Sequence, residues 1–560
     1  MNKILLLIAG MLIGMPAFAD NVTFTSSDLP IIIIHTQNAI NADAKVMGTM
    51  RIIDNGEGKV NHVDDQPTEY DGHIGIKWRG NSSLSFNQKK YTIETWDAEG
   101  NDTTVSLFGM PEEADWVLLA PYNDVSMVRD VFAFYMWNAM GHWGPRTRMC
   151  EVVVNGEYMG VYAFCESIKR DKNRVDVNKL KPEDVSGRDL TGGYIVRIDA
   201  YDNDDVTFKS KVKGIQTQQW GWGWGGGSTE ATVTWTIYYP KKEDLQEEQR
   251  KYIQSFVDTV ELAIQADNFA DPEEGYAKYI DVASFVDYFI HTELSLNADG
   301  FKRSAYYYKD KDKKDGTRGK FFAGPVWDFN LAYGNCNFCN ANKVTAWVYE
   351  GCETNPTPVM WKRLLEDEAF RNAVKCRWLE LRQTILSEEA IDAFLDSYAA
   401  LLAQAKDRQL KKYKEVLKSS GGGWGWGSSS LYFAAYQVSS YAEEITTVKK
   451  WFRQRLDFLD KNLPGECGSS GVGNNMNYQI SKTDYYDVDL SLRGHRAWVS
   501  SPLPLDHIDI VDALGALQRS QPVGGHHHAS VPLHGLGSGY RILVCYALDG
   551  SMVSHGFLVK

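Results

Sequence analysis

The sequence lacks the excess of positive charge that binding to nucleic acid requires. Its 59 Lys and Arg residues are outnumbered by 73 Asp and Glu residues, which gives a formal net charge of -14 at pH 7. Because affinity for nucleic acid depends mostly on cations that neutralise phosphates, this balance argues against a nucleic-acid partner. The sequence also has no GxxxxGK[ST] motif, so a phosphate-binding loop of that type is excluded.

Long apolar stretches are also missing. After the N-terminus, no run reaches the roughly 18 apolar residues that are needed to span a bilayer. Residues 1–19 contain one lysine, an apolar core and the pattern Ala17-Phe18-Ala19, which together predict a secretory signal peptide. We therefore expect an exported protein without a transmembrane anchor.

Cysteine is sparse, and all 8 cysteines follow the predicted signal peptide. In an exported protein disulfides are the default expectation. Cys336 and Cys339 form one CxxC motif without a second such motif or a nearby histidine pair. A disulfide, with Cys352 as a candidate partner, is therefore favoured over a zinc site, and the pairing stays open.

Residues 28–166 are predicted to form a strand-rich N-terminal lobe. Apolar alternation and a strong Asn-Gly turn predict five strands in the segments 30–36, 73–80, 89–96 and 150–166. One helix is predicted at about residues 126–140, with Ser126 as its N-cap. The expected result is a five-stranded sheet with one helix.

Residues from about 190 to 463 are predicted to form a mostly helical lobe, entered by one strand at 192–199. Helical periodicity marks the segments 244–266, 281–297, 359–386, 388–413 and 441–463. The overall prediction is an α+β fold with a strand-rich lobe followed by a helical lobe.

Two Trp-Gly runs, at 220–228 and 421–430, are too rich in glycine for regular structure and are predicted to be exposed loops. Their tryptophans, including Trp222 and Trp424, would suit contact with polysaccharide through stacking on sugar rings. Loops that pack their indoles onto their own domain are the favoured alternative.

The C-terminal part is predicted to be a separate all-β module. Residues 464–475 have the composition of a linker, and residues 476–560 contain short strands with turn signals. Three histidines, 526–528, lie between glycine and alanine in a segment that we interpret as a solvated turn rather than a metal site.

Two aspartates flank a predicted hairpin. Asp299 precedes its first strand, SAYYYKD, and Asp328 follows its second, RGKFFAGPVW. Antiparallel pairing returns both carboxylates to the open end, where a divalent ion would relieve their repulsion. The alternative is ordinary turn and capping chemistry at each aspartate.

A polar turn at 77–95 is a second candidate for phosphate chemistry. Arg79, Gly80 and the hydroxyls of Ser82 and Ser83 precede a strand that begins with lysines. Backbone N–H groups of such a turn can approach a polyphosphate, and a lysine can reach its oxygens. Solvated surface lysines are the alternative.

Six ordered motifs resemble the CotH family, the spore-coat-protein-H type of secreted atypical protein kinases. They are RGNSS…F…KKY, DWVLLAPYNDVSMVRD, NGEYMGVYAFCESIK, GGYIVRID, NADGF…SAYYYKDKD and GPVWDFNLAYGN, within roughly residues 28 to 460. The resemblance implies a two-lobed kinase-like fold with ATP and Mg²⁺ or Mn²⁺ in the cleft. It also implies transfer of the γ-phosphate to Ser or Thr of an exported or surface protein.

The resemblance assigns roles to the two aspartates. Asp299 would act on the acceptor hydroxyl in the catalytic loop, and Asp328 would hold the metal. Better-known members carry an asparagine where this sequence has Ser304, so Asn297 and Asn330 are the substitute candidates for the second metal ligand.

The resemblance also implies the nucleotide-binding residues. Lys89 would bind phosphate, assisted by Arg79, Ser82 and Ser83, while Lys90 would point to the other face of the strand. Glu166 would lie at the hinge between the lobes, near the adenine. Two further residues, Asp124 and Arg129, are equally well interpreted as structural residues at a helix start.

About the last 55 residues resemble a sorting domain of type IX secretion in the Bacteroidetes and their relatives, although the usual Pro-Asn-Pro opening is absent. This resemblance implies a location outside a Gram-negative cell or on its surface. Two alternatives to the kinase stay open: an inactive surface or matrix protein, and an enzyme that transfers AMP with the same residues.

Overall fold

The computed structural model describes residues 22–217, 228–417, 436–468 and 489–559, apart from 57, 353, 494–495, 513–516, 538 and 549–551. The predicted signal peptide, most of the predicted linker and the tryptophans of both Trp-Gly loops lie outside these residues. No helix within the described ranges is long and apolar enough to cross a bilayer.

The N-terminal region (22–166) is rich in strands, as predicted. In chain order its elements are β1 (Ser26–Ser27), β2 (Ile31–Thr36), β3 (Val46–Ile53), β4 (Asn61–His62), β5 (Tyr70–Arg79), β6 (Lys90–Trp96), β7 (Val105–Leu107), β8 (Met110–Glu113), β9 (Asp115–Leu119), α1 (Arg129–Ala139), β10 (Thr147–Val154) and β11 (Glu157–Glu166).

Seven of these strands form a closed barrel, so the prediction of a five-stranded sheet is wrong. The order is β10-β11-β9-β6-β5-β3-β2, and parallel pairing of β2 with β10 closes it. Ile32 and Ile34 pack inside the barrel while Ile31 and Ile33 join a second buried cluster. The run of isoleucines is therefore buried on both faces, as in a parallel pair.

The helix α1 begins three residues later than predicted, and Ser126 is not its cap. The Asp124 carboxylate accepts a hydrogen bond from the Arg129 amide at 2.9 Å, while the Ser126 hydroxyl donates to the same carboxylate at 2.5 Å. A carboxylate at a helix start satisfies an unpaired amide and interacts favourably with the helix dipole, so Asp124 takes the capping role.

The helical region (194–463) also contains a sheet that the sequence reasoning missed. Its strands, in chain order, are β12 (Tyr194–Ile198), β13 (Thr207–Thr217), β14 (Ser228–Tyr239), β15 (Ala305–Lys309), β16 (Phe321–Ala323) and β17 (Thr357–Pro358). They pair in the order β16-β15-β12-β14-β13-β17, and only β12 and the hairpin β15–β16 correspond to predicted strands.

The helices of this region match the predicted segments, but two segments are broken. The helices are α2 (Glu247–Gln265), α3 (Val282–Ser295), α4 (Met360–Leu364), α5 (Glu368–Arg382), α6 (Glu388–Leu401), α7 (Ala405–Lys412) and α8 (Tyr441–Asn462). Asp367 separates α4 from α5 because its side chain accepts a hydrogen bond from the Ala369 amide and starts a new helix. Short 3-10 helices lie at Ser82–Ser85, Asp189–Thr191, Tyr276–Lys278, Val348–Glu350 and Lys414–Leu417.

Two disulfides join parts of the helical region. Cys339 pairs with Cys352, which confirms a disulfide at the CxxC motif in preference to zinc. Cys376 of α5 pairs with Cys467, which lies beyond the end of α8 and 91 residues away in sequence. The second bond therefore fixes the segment after α8 against α5.

The C-terminal sheet (489–559) is all-β, as predicted. Its strands are β18 (Asp489–Arg493), β19 (Arg496–Asp512), β20 (Leu517–Pro532), β21 (Gly539–Ala547) and β22 (Met552–Val559). The three histidines lie within β20, with His526 opposite Leu505 and His528 opposite Ser500 of β19. The prediction of a turn at these histidines is therefore wrong, although their side chains are exposed.

Candidate active site

The two aspartates lie together at the open end of the β15–β16 hairpin. The hairpin is antiparallel, with Tyr307 opposite Ala323, so residues before β15 and after β16 meet. Asn297 links them, because its side-chain oxygen accepts the Asp299 amide at 3.2 Å and its nitrogen donates to the Asp328 carbonyl at 3.4 Å. The structure therefore brings Asp299 and Asp328 into one site, as their sequence positions predict.

The carboxylate of Asp299 has a raised pKa. Burial is the largest cause, and the negative charges of Asp328 and Asp199 add to it, while the cations of Lys302 and Arg303 act in the opposite direction. A carboxylate whose pKa is raised toward the working pH is suited to accept a proton from an acceptor hydroxyl. Its position and its pKa are therefore both compatible with the role that the sequence resemblance implies.

Lys90, not Lys89, reaches the site. The Lys90 ammonium lies 3.1 Å from a carboxylate oxygen of Asp328, and its side chain is 9% exposed. The Lys89 ammonium instead donates to the carbonyls of Leu84 and Phe86, both at 2.6 Å. The predicted orientation of the two lysines is wrong, because Lys89 precedes β6 and folds back to satisfy carbonyls at the end of the 3-10 turn.

Asp130, in the first turn of α1, is a site residue that the sequence reasoning missed. Its carboxylate accepts a hydrogen bond from the Phe329 amide at 2.5 Å, directly beside Asp328. Burial raises the pKa of Asp130 to about 7, the charge of Asp328 adds to this, and the Lys90 cation opposes it. The sequence signal for Asp130 was its place at the end of the motif DWVLLAPYNDVSMVRD, directly after Arg129.

Lys90 therefore faces carboxylates from two separate segments. Burial lowers the pKa of Lys90, but the charges of Asp328 and Asp130 outweigh this effect, so its pKa is raised overall. The ammonium is consequently charged at neutral pH. A charged, largely buried lysine beside a half-buried carboxylate can bind an anion such as a phosphate as it enters the site.

Arg79 supplies a second cation. Its guanidinium lies 4.8 Å from the ring centre of Trp327, the residue before Asp328. Among the described residues, no hydrogen bond or ion pair engages this guanidinium. Arg79 is also paired directly with Lys90 across β5 and β6, so the two cations lie at one end of the barrel. This arrangement favours binding of a polyphosphate.

The turn between β5 and β6 carries Ser82 and Ser83. Gly80 has a φ of +122°, and a Cβ atom at this position would lie 2.0 Å from the Ser83 hydroxyl oxygen. Only glycine therefore allows the serine to fold so closely over the start of the turn. The Ser82 carbonyl accepts a hydrogen bond from the Ser85 hydroxyl at 2.7 Å, which closes the 3-10 turn.

Asp199 is a further carboxylate near the hairpin that the sequence analysis did not predict. It follows β12, which pairs with β15. Its side chain accepts the Ala200 amide at 2.8 Å and lies 3.4 Å from Arg197. Burial raises the pKa of Asp199, and the charge of Asp328 contributes in the same direction while Arg197 opposes it. The sequence signal for Asp199 was its place as the last residue of the motif GGYIVRID.

Glu166 ends β11, but its carboxylate is occupied by protein partners. Its side chain is 0% exposed and lies 2.6 Å from Arg146 and 3.6 Å from Arg174. The Arg146 backbone amide also donates to this carboxylate at 3.0 Å. The side chain therefore has no exposed surface for direct contact with an adenine, and the place of Glu166 at the hinge near the adenine stays a prediction.

Asp124 and Arg129 have structural contacts. Arg129 is buried, forms ion pairs with Asp124 and Glu444, and donates to the Ala332 carbonyl at 3.0 Å. Breaking such a buried pair on one side leaves an uncompensated charge. Of the two open interpretations, the geometry supports the structural one.

The two candidate asparagines also have protein partners. Asn330 donates from its side chain to Asn123 at 3.0 Å, and its carbonyl accepts from Asn335 at 2.8 Å.

In the ranges that the structure describes, no group of three His, Cys, Asp or Glu side chains could enclose a metal. Asp328, with its side chain 36% exposed, fits Mg²⁺, which commonly takes one or two carboxylates together with water and phosphate oxygens.

His291 packs beneath this site. Its ring centre lies 4.8 Å from that of Phe329, and its Nε2 atom lies 2.9 Å from the Ala133 carbonyl oxygen. The Nδ1 atom is buried and finds no hydrogen-bond partner in the described part of the chain. Burial lowers the pKa of His291 to about 4, so the ring is neutral at pH 7.

We expect this histidine to make the protein less stable in mild acid. The pKa of His291 falls from 6.5 to about 4 on folding. The stability that the neutral ring contributes is therefore fully present above pH 6.5 and is lost as the pH falls toward 4. The loss amounts to about 3 kcal/mol of unfolding free energy. Urea unfolding between about pH 7 and pH 4 should show a smaller decrease for His291→Gln than for the wild type; equal decreases would contradict this prediction.

Comparison with known proteins identifies one family. Residues 76–459 match the family model described as CotH kinase protein. The match includes the end of the barrel strand β5, all of β6, the hairpin β15–β16, and both Asp299 and Asp328. No curated protein matches the chain.

Proposed function

The chain belongs to the CotH kinase protein family and is an atypical protein kinase, and from this premise we propose that it transfers the γ-phosphate of ATP to Ser or Thr hydroxyls of an exported or surface protein. The observation that carries the proposal is the 3.1 Å contact between Lys90 and Asp328 beside Asp299. It brings a cation from the barrel and a carboxylate from the loop after the hairpin to one place, where they can serve as the phosphate-binding lysine and the metal-binding aspartate of phosphoryl transfer.

Two cations would hold the triphosphate. Lys90 is fixed by Asp328 and Asp130, and Arg79 is supported by the ring of Trp327. The polar turn with Ser82 and Ser83 lies between the strands that carry these cations. ATP would thus enter with its phosphates toward the turn, where positive charge offsets their negative charge.

Asp299 would act on the acceptor. The hydroxyl oxygen of the acceptor forms a bond to the γ-phosphorus as the bond to the oxygen that bridges the β- and γ-phosphates breaks, and ADP leaves. The hydroxyl proton passes to the Asp299 carboxylate, whose raised pKa favours this transfer. Lys302 and Arg303 would stabilise the negative charge of Asp299 before the reaction.

Asp328 would hold Mg²⁺ or Mn²⁺, with Asn297 and Asn330 as further candidate ligands. When bound, such an ion neutralises charge on the phosphates. Asn330 could offer its side-chain oxygen to the ion and keep its hydrogen bond to Asn123, because its amide nitrogen makes that bond. The Asn297 oxygen already accepts the Asp299 amide, so this residue would have to serve both partners.

We also propose that the protein acts outside the cytoplasm. The predicted signal peptide and the sequence resemblance of about the last 55 residues to a type IX sorting domain support this location. The disulfides Cys339–Cys352 and Cys376–Cys467 agree with an oxidising compartment. A test is to express the full chain in a type IX secretion host and to compare its release with that of a chain lacking residues 489–560.

The proposed reaction is tested by transfer of labelled phosphate. Purified protein is incubated with Mg²⁺ or Mn²⁺ and ATP labelled at the γ-phosphate, with itself and generic acceptor proteins as substrates. We expect labelled Ser or Thr in the wild type and a loss of about a hundredfold or more for Asp299→Asn. Asp315→Asn, in the exposed turn of the same hairpin, is the matched control and should keep the wild-type rate.

The position of the label distinguishes the alternatives. Label carried only from the α-phosphate, with AMP found on the product by mass spectrometry, would replace phosphate transfer by AMP transfer. An absence of transfer with either label and either metal, for a folded wild-type protein, would contradict the enzymatic proposal.

A further inference from the structure

A helical segment of the C-terminal half packs against the N-terminal barrel. We call residues 405–417, which comprise α7 and the 3-10 helix Lys414–Leu417, the strap. The Arg408 guanidinium lies 2.8 Å from the buried carboxylate of Glu151 in β10. Lys412 forms an ion pair with Glu157 of β11 at 2.7 Å. The strap therefore contacts two strands of the barrel.

A pair of buried glutamines connects the strap to Gln88, two residues before the site residue Lys90. Gln409 accepts the Val161 amide at 2.9 Å and donates to the side chain of Gln88 at 2.8 Å. Gln88 in turn donates to the Val161 carbonyl at 2.9 Å. At Gly160, a Cβ atom would lie 2.2 Å from the Gln409 side-chain oxygen, so the close approach depends on glycine. The pair thus fixes Gln88 against β11.

The end of the strap contacts the end of the polar turn. Glu415 accepts hydrogen bonds from the Tyr122 hydroxyl at 2.9 Å and from the Asn87 side chain at 3.1 Å. Phe86 joins a buried apolar cluster with Tyr122, Tyr413 and Val416. Asn87 and Phe86 close the turn that begins after Arg79 and leads into Lys90.

We propose that the strap positions the phosphate-binding turn, residues 80–87, and that Glu415 and Gln409 are positioning residues for ATP. This inference rests on the proposed function, because it assumes that Arg79 and Lys90 bind phosphate. Neither positioning residue needs to touch the nucleotide. Their contacts hold the turn in one arrangement before ATP arrives, so less ordering is required on binding.

The strap adds contacts from outside the turn to the hydrogen bonds that the turn makes within itself. Within the turn, the Lys89 ammonium and the Ser85 hydroxyl supply hydrogen bonds to its carbonyls. The polar side chain of Asn87 and the ring of Phe86 face the strap instead. Loss of Glu415 would therefore release one end of the turn while the barrel strands keep their pairing.

Kinetics of three variants test this role. Glu415→Ala removes the acceptor for Asn87 and Tyr122, and we expect the KM for ATP to rise about fivefold to tenfold with kcat changed less than about twofold. Glu415→Gln keeps an acceptor oxygen and should restore most of the affinity. Glu157→Ala removes a strap ion pair away from the turn and should leave the KM for ATP unchanged.

Hydrogen exchange of the turn gives a readout that does not depend on ATP. Amides of residues 80–90 should exchange faster in Glu415→Ala than in the wild type and return toward wild-type exchange in Glu415→Gln. If Glu415→Ala leaves exchange of the turn unchanged, or if Glu157→Ala raises KM and exchange to the same extent, the proposed positioning role is wrong.

The two readouts separate this inference from the proposed function. A wild-type protein that neither binds nor uses ATP would contradict the proposed function and the assignment of the strap to ATP binding. Faster exchange of the turn in Glu415→Ala would then still show that the strap holds the turn. Normal ATP use with unchanged exchange and KM in Glu415→Ala would overturn the strap inference alone.

Discussion

Replacing Asp328 with asparagine is expected to reduce phosphate transfer by about a thousandfold or more while the protein stays folded. The carboxylate is the one that contacts Lys90, and it lies beside Asp299 at the open end of the hairpin. Asparagine keeps the size of the side chain but removes its charge. It would therefore weaken metal binding and leave Lys90 without this partner.

The backbone at this position should tolerate the substitution. Asp328 has a φ of +62°, a left-handed conformation that asparagine adopts more readily than most residues. The side chain is 36% exposed, and the buried Lys90 ammonium keeps the nearby charge of Asp130, so the substitution does not leave Lys90 without any counter-charge. We therefore expect a small change in melting temperature together with a large loss of rate.

The measurement compares initial rates of transfer from γ-labelled ATP with thermal unfolding of the same preparations. Asp204→Asn is a suitable control because Asp204 is exposed and makes only a peripheral ion pair with Lys242. Transfer by Asp328→Asn within about tenfold of the wild-type rate would contradict the role of Asp328. A large drop in melting temperature would instead show that Asp328 is mainly structural.

The features that local sequence predicts well are those that depend on short-range pairing. The β15–β16 hairpin and the β10–β11 hairpin both follow from a turn between two apolar runs. Because the first hairpin is antiparallel, the proximity of Asp299 and Asp328 follows from their positions on either side of it. This part of the site required no knowledge of distant contacts.

Closure of the barrel could not be read from local pattern. It requires β2 to pair in parallel with β10, more than a hundred residues later in the sequence. The same limit applies to the sheet in the helical region, where β17 joins β13 at the edge of six strands. Periodicity identifies a strand but does not identify its partner.

The details of the site that the sequence did not predict depend on these distant contacts. Asp130 reaches the Phe329 amide only because α1 packs beside the loop after β16. Glu166 is enclosed by Arg146 and Arg174, which a hinge position at the end of β11 does not reveal. The alignment of motifs therefore locates the neighbourhood of the site, whereas packing determines which side chains enter it.

Replacing Lys90 and Lys89 separately is expected to give very different losses. Lys90→Met should reduce kcat/KM for ATP by about a hundredfold to a thousandfold, because it removes the cation that contacts Asp328. Lys89→Met should lower kcat/KM by no more than about tenfold, as for Glu415→Ala, because its ammonium serves the carbonyls of Leu84 and Phe86 in the turn and does not reach Asp328. Steady-state transfer measurements on both variants test the prediction, with hydrogen exchange of the turn as a check on Lys89→Met.

The two substitutions are matched because they remove the same group from neighbouring positions, so a general effect of losing positive charge near the turn would appear in both. A selective loss in Lys90→Met would agree with the barrel geometry, in which β6 begins at Lys90 and directs its side chain toward Asp328 and Asp130. A selective loss in Lys89→Met would instead favour the motif alignment and require the turn to rearrange when ATP binds. Wild-type activity in both variants would show that neither lysine is an essential phosphate ligand. A buried cation beside the transferred group cannot be removed without a large loss of rate.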